Sequence, residues 1–170
     1  MNSISHTPIC DLRPHYVFAF HTESREFWDC KTLIYYSRKD KYLHYEHTGS
    51  KYSYICDDFK DMVCVFAIAD EDINALQEVF GLMIDAYNTY IKRGGERWLL
   101  CDGSTCTVIC GRKRIHFMWP GQDPFESFCN MVYQTLSITE EREKPDYEEL
   151  RKLLPVVKEK LVNFLNETDC

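Results

Sequence analysis

Apolar and aromatic residues crowd the first seventy positions in short runs. His15–Phe20, Thr32–Tyr36, Tyr42–His47, Tyr52–Asp57 and Met62–Ala69 are rich in aromatic and β-branched side chains, the signature of strands. Short polar turns (SRKDK, HTGSK, DFKD) separate them. Such turns imply antiparallel hairpins, since a parallel crossover takes about a dozen residues or more. Met62–Ala69 is apolar almost throughout and reads as a central strand covered on both faces.

At Ile73 the period lengthens. Ile73, Leu76, Phe80, Ile84, Tyr87 and Ile91 follow helical spacing. Asp70, Glu71 and Asp72 open this segment with a cap and with negative charge at the positive end of the dipole. Lys92 and Arg93 close it, and Gly94-Gly95 stops it. Arg97–Trp119 returns to strands. Turns at Gly103-Ser104 and Gly111-Arg112 predict a meander of Arg97–Asp102, Thr105–Cys110 and Lys113–Trp119. Its register sets Cys101 opposite Cys106, Cys106 opposite Phe117, Val108 opposite Ile115 and Cys110 opposite Lys113.

Asp123 as cap, Pro124 in the first turn and Glu126 as capping-box partner start a second helix, with Phe125, Phe128, Val132 and Leu136 as its stripe. Thr139–Lys144 is strongly charged. Asp146–Glu167 is a last helical region with Leu150, Leu153, Val157, Leu161 and Phe164 on one side. Pro155 removes a backbone donor there, so a kink or two short helices is expected. The whole predicts an α+β protein: an antiparallel sheet (the N-terminal strands plus the 97–119 meander) carrying two to three helices. Residues 1–138 form one domain, 139–145 a charged linker, and 146–167 a helical region packed on the same domain.

Composition narrows the classes. The chain has 170 residues, 45% of them hydrophobic, enough for one domain with a real core. No apolar run approaches the roughly 18–20 residues of a membrane span. The N-terminus lacks a basic segment followed by an apolar one, so the expected location is the reducing cytoplasm, with free thiols. A net charge of -7 argues against a dedicated DNA binder.

Nine cysteines raise the question of metal. Cys106 and Cys110 share one face of a strand about 13 Å apart, too far for one zinc ion. The reading is no metal and no cofactor, with the thiols lining the core. The meander also returns Gly111-Arg112-Lys113-Arg114 toward the helix end. Lys92, Arg93, Arg97, Arg112, Lys113 and Arg114 then gather at one edge beside the Gly94-Gly95 backbone, a candidate anion site for phosphate, nucleotide or RNA. The alternative is ordinary helix-end and turn chemistry. The run Ile91–Leu99 (IKRGGERWL) resembles the Lys-Arg-Gly-Gly-Arg-Trp stretch of the cap-binding translation initiation factors, interrupted by Glu96; no family pattern extends along the chain.

Tyr42 and Tyr45 on the aromatic-rich sheet, with Leu150, Val157 and Leu161 on the last helix, are candidate partner contacts. His44 and His47 point to opposite faces, and His116 pairs with Thr107. No nucleophile, phosphate-loop or zinc-helix motif is present. The leading expectation is a small non-enzymatic protein that binds a protein partner. The alternatives are a nucleotide or RNA binder using Arg97 and Arg112–Arg114, and an enzyme with a Cys/His or carboxylate site assembled by the fold.

Overall fold

The computed structural model describes residues 16–24, 30–49, 61–95, 104–118, 122–139 and 141–167. Within them lie β1 (Tyr16–Ser24), β2 (Cys30–Ser37), β3 (Leu43–Thr48), β4 (Met62–Phe66), α1 (Asp70–Lys92), β5 (Ser104–Cys110), β6 (Lys113–Met118), α2 (Phe125–Leu136) and α3 (Tyr147–Asn166). The strands form one antiparallel sheet in the order β4-β3-β2-β1-β5-β6. Three helices complete the expected α+β architecture.

The helices cover one face. Phe18 and Phe20 on β1 are fully buried against Phe80 of α1 (4.8 Å between ring centres) and Phe128 of α2 (6.2 Å). Ile34, Tyr36, Leu43, Tyr45, Cys106, Val108, Ile115 and Phe117 complete that face, as period-two alternation demands. A smaller apolar group, Tyr16, Ala19, Leu33 and Ile109, lies on the other face.

Side-chain links order the helices. Arg151 of α3 clamps Asp72 near the start of α1 through two bonds of 3.0 and 2.8 Å. Lys158 reaches Glu78 at 2.9 Å. Arg93, just past α1, donates to the carbonyls of Phe164 and Glu167 at the end of α3. Start meets start and end meets end, so α1 and α3 run parallel. Phe125, at the start of α2, packs on Tyr90 and Phe164 near the ends of the other two, so α2 runs back between those ends.

Several expectations change. Met62–Ala69 yields a strand only over Met62–Phe66, and among the described residues it forms an edge of the sheet rather than its centre. Its burial alternates: Met62, Cys64 and Phe66 turn inward while Val63 and Val65 are exposed. The hairpin β5–β6 keeps the expected register, Cys106↔Phe117, Val108↔Ile115 and Cys110↔Lys113. The other side of β5 is taken by β1, which pairs Thr22 with Cys106 where the expected meander sets Cys101. Arg97–Asp102 and Tyr52–Asp57 lie outside the described residues.

Ala69, not Asp70, holds the cap position of α1. Asp123 does not cap α2; its carboxylate accepts from Ser127 Oγ and from Lys160. Asp146 does cap α3, accepting from the Glu149 N–H at 3.0 Å. The charged stretch after α2 is a packed turn: Thr139 and Arg142 bridge, and Arg142 donates to the Ser137 and Gln134 carbonyls. Pro155 leaves α3 a single element. The proline faces solvent, while buried Leu154 and Val157 hold both halves onto the other helices.

α3 is therefore core. Leu150, Val157 and Leu161 are buried within the chain, so they are not a partner surface. Leu161→Ala should cost about 2–4 kcal/mol of unfolding free energy, the usual range for a fully buried leucine. Chemical denaturation followed by both near- and far-ultraviolet circular dichroism checks this. A loss below about 0.5 kcal/mol, or a separate early transition of α3, would show a detachable helix.

Candidate functional site

Of the anticipated basic edge, Arg93 and Lys113 are engaged within the fold and Arg97 lies outside the described residues. The β5–β6 turn abuts the middle of α1, where Cys110 Sγ lies 3.5 Å from the Gln77 carbonyl and Lys113 pairs with Asp85 at 3.0 Å. Asp85 and Arg93 are eight residues apart on one helix, about 12 Å at 1.5 Å per residue. Arg93 is spent on the end of α3, with its guanidinium also 5.4 Å from the Phe164 ring centre. The Gly94 and Gly95 N–H groups close the helix end by bonding to Ile91 O and Tyr90 O at 3.1 and 2.9 Å. Gly94 adopts the left-handed backbone this motif requires, φ 87°. Lys92 ends α1, and Arg112 and Arg114 are exposed at the β5–β6 turn and the start of β6.

Two of the described thiols are shifted away from nucleophilic behaviour. Burial pushes the Cys106 thiol well up, with Cys129 beside it adding to the effect. Burial also raises Cys110. Reactive cysteines show the opposite shift. Thr107 meets His116 Nδ1 at 2.8 Å and Thr32 meets His47 Nδ1 at 2.9 Å, yet both threonines are buried cross-strand neighbours. Lys160 donates to Asp123 and Ser127 Oγ together, so its ammonium acts as a donor there, not as a base. No metal-binding cluster of His, Cys, Asp and Glu occurs among the described residues.

A different cluster stands on the sheet face away from the helices. Tyr35 of β2, His44 and Glu46 of β3 and Tyr16 of β1 meet there. Strict alternation would place Tyr16 with Phe18 and Phe20 on the helix face. A bulge at Val17 breaks the β1–β2 register between Tyr16 and Phe18, and it turns Tyr16 over. The Tyr16 ring then lies 4.7 Å from Tyr35, and His44 stacks on Tyr35 at 4.5 Å with an interplanar angle of 4°. Asp40 anchors His44 through a 2.6 Å bond to Nε2.

Glu46 is the unusual member. It is half-buried, it accepts only a long 3.4 Å bond from the Tyr35 hydroxyl, and it pairs with no cation among the described residues. The nearby Lys31 reaches Glu23 instead, at 3.8 Å. The Tyr16 hydroxyl is buried without a hydrogen-bond partner. Burial, and then the Glu46 charge, push the Tyr35 phenol up to about 12. Burial, followed by Tyr35 and Glu46, raises Tyr16 also. Both phenols therefore keep their protons at neutral pH.

Beside it runs the exposed side of β4. Val63 is the Cα partner of Glu46, and Val65 is that of His44. Val63 and Val65 are 54% and 50% exposed, and Tyr42, at the head of β3, is 47% exposed. Of the sheet residues anticipated as partner contacts, Tyr42 is available, whereas Tyr45 is buried with its hydroxyl on the Ile138 carbonyl. Sequence reasoning missed Tyr35, Glu46 and Tyr16: only the spacing of His44 and Glu46 along one strand could have placed those two on a shared face, and the bulge that delivers Tyr16 leaves no sequence signal. No known family, curated protein or solved structure matches this chain.

His21 shares this face, between Leu33 and Thr107. Burial lowers its pKa to about 4, from an unfolded value near 6.5. The folded state thus holds His21 neutral, a contribution fully present above about pH 6.5 and lost as pH falls toward 4. Buried His47 shifts in the same direction. The urea midpoint should fall between pH 7 and pH 5, and His21→Gln should reduce that fall. Superimposable profiles for the two proteins would contradict the assignment.

Proposed function

We propose that this chain is a small, non-catalytic binding module that takes an extended segment of a protein partner along β4. The observation that carries the reading is the state of that strand. Among the described residues β4 has one strand neighbour, β3, and its outward side chains are the exposed Val63 and Val65. Natural edge strands are usually blunted by lysine, proline or a bulge. β4 reads Met-Val-Cys-Val-Phe and carries none of these. Such an edge supplies main-chain groups for strand addition and alternate side chains for selectivity.

The raised thiols, the buried threonines and the donor role of Lys160 favour binding over catalysis. Consumption of Arg93, Lys113 and the Gly94-Gly95 N–H groups within the fold weighs against a phosphate or RNA site. No described helix is long and apolar enough to cross a membrane. The reducing cytoplasm is the compartment that suits the thiols: Cys106 and Cys129 are buried neighbours that remain unbridged.

The test is panning of a displayed library of random twelve-residue peptides, followed by amide hydrogen exchange with a captured peptide. Protection concentrated on 62–66, and at least about tenfold weaker binding by Val65→Lys, is the expected result. Protection elsewhere would overturn the reading. So would failure to capture peptides together with salt-sensitive binding of a labelled RNA that Arg112→Glu/Arg114→Glu abolishes.

A further inference from the structure

We propose that Glu46, Tyr35 and Tyr16 form a seat for the ammonium or guanidinium group of a lysine or arginine side chain carried by the segment docked on β4. The inference rests on the strand-addition reading for the origin of that side chain, but not for the chemistry of the seat.

Three observations support it. Glu46 is a half-buried carboxylate with no described cation and one long hydrogen bond. A partly shielded carboxylate with no ion-pair partner offers a place for a positive group. The Tyr16 hydroxyl, on a side chain only 4% exposed, is unpartnered and lies against Tyr35. The bulge at Val17 exists at the position that turns this hydroxyl toward the cluster. Carboxylate and phenol oxygens accept hydrogen bonds, and lysine and arginine heads only donate them, so the chemistries match.

The reach also fits. A strand added beside β4 would lie two strand spacings from β3, about 9.5 Å. A lysine or arginine stem can cross Val63 over that distance and pack its methylenes on the exposed valine while its head meets Glu46. A second copy of this chain suits the edge less well: its β4 would bring Val63 and Val65 but no cation from within Met62–Phe66.

The decisive experiment uses n-butylguanidinium as probe, followed by carbon resonances of the Glu46 carboxyl and the Tyr35 ring. In the wild type both should shift saturably. Glu46→Gln should weaken binding at least about fivefold, and Tyr16→Phe should weaken it while the fold is retained. Val63→Lys places an ammonium directly opposite Glu46; it should raise the unfolding midpoint and abolish the probe's effect. In parallel, peptides captured by the wild type should carry lysine or arginine at one fixed position, and the Glu46→Gln protein should lose that preference. Peptides that protect β4 without basic enrichment, or a probe that leaves Glu46 unmoved, would overturn the cation seat while strand addition stands. A saturable Glu46 shift with peptides protecting another surface would uphold the seat and refute strand addition instead.

Discussion

The structure depends on one pairing, that of β1 with β5. It joins Phe18 to Cys110 and Ser24 to Ser104, residues from opposite halves of the chain. Without it the first four strands and the β5–β6 hairpin would be two small sheets, each with an uncovered edge. With it, β1 lies inside a six-stranded sheet, and Phe18 and Phe20 become the floor on which α1 and α2 settle. The same junction holds the bulge: the Gly111 N–H donates to the Val17 carbonyl at 3.1 Å, from a glycine in the left-handed region at φ 59°. A turn in the second half of the chain thus braces the irregularity that turns Tyr16 over.

What could be read from the sequence follows from how local each cause is. The helix at Ile73–Ile91 and the β5–β6 register are set by period and turn chemistry within a few residues, and both agree with the structure. The partner on the other side of β5 is a long-range choice. Local turn chemistry at Gly103-Ser104 offers one answer, and β1 supplies another with Ala19, Phe20 and Thr22. β4 misleads for a related reason. An apolar run of eight residues suggests double coverage, but only five form the strand and the rest leads into α1. Of the candidate site, the sequence reading marked only Tyr42 as a sheet contact; Tyr35, His44 and Glu46 come together through the pairing of β2 with β3. The arrival of Tyr16 beside them was not legible, because a bulge changes the parity of a strand without changing its composition.

The fate of the charges changes the expected polarity of the site. Two of the cations that sequence reading gathers into an anion site, Arg93 and Lys113, are engaged within the fold, and other cations link the helices. Arg93 holds the end of α3, Arg151 holds buried Asp72, and Lys158 and Lys113 pair with Glu78 and Asp85. Each neutralises a group that the fold itself exposes or buries. In a chain with net charge -7, spending cations this way leaves carboxylates in surplus. Most of that surplus faces water, where hydration satisfies it. Glu46 is different because the sheet flanks it with Val63 and Leu33 and places two phenols beside it. It is the position where the unbalanced charge of the chain meets partial burial, an exposed edge strand and an unpartnered hydroxyl. A ligand that answers all of these at once is extended, apolar at alternate positions and basic at one.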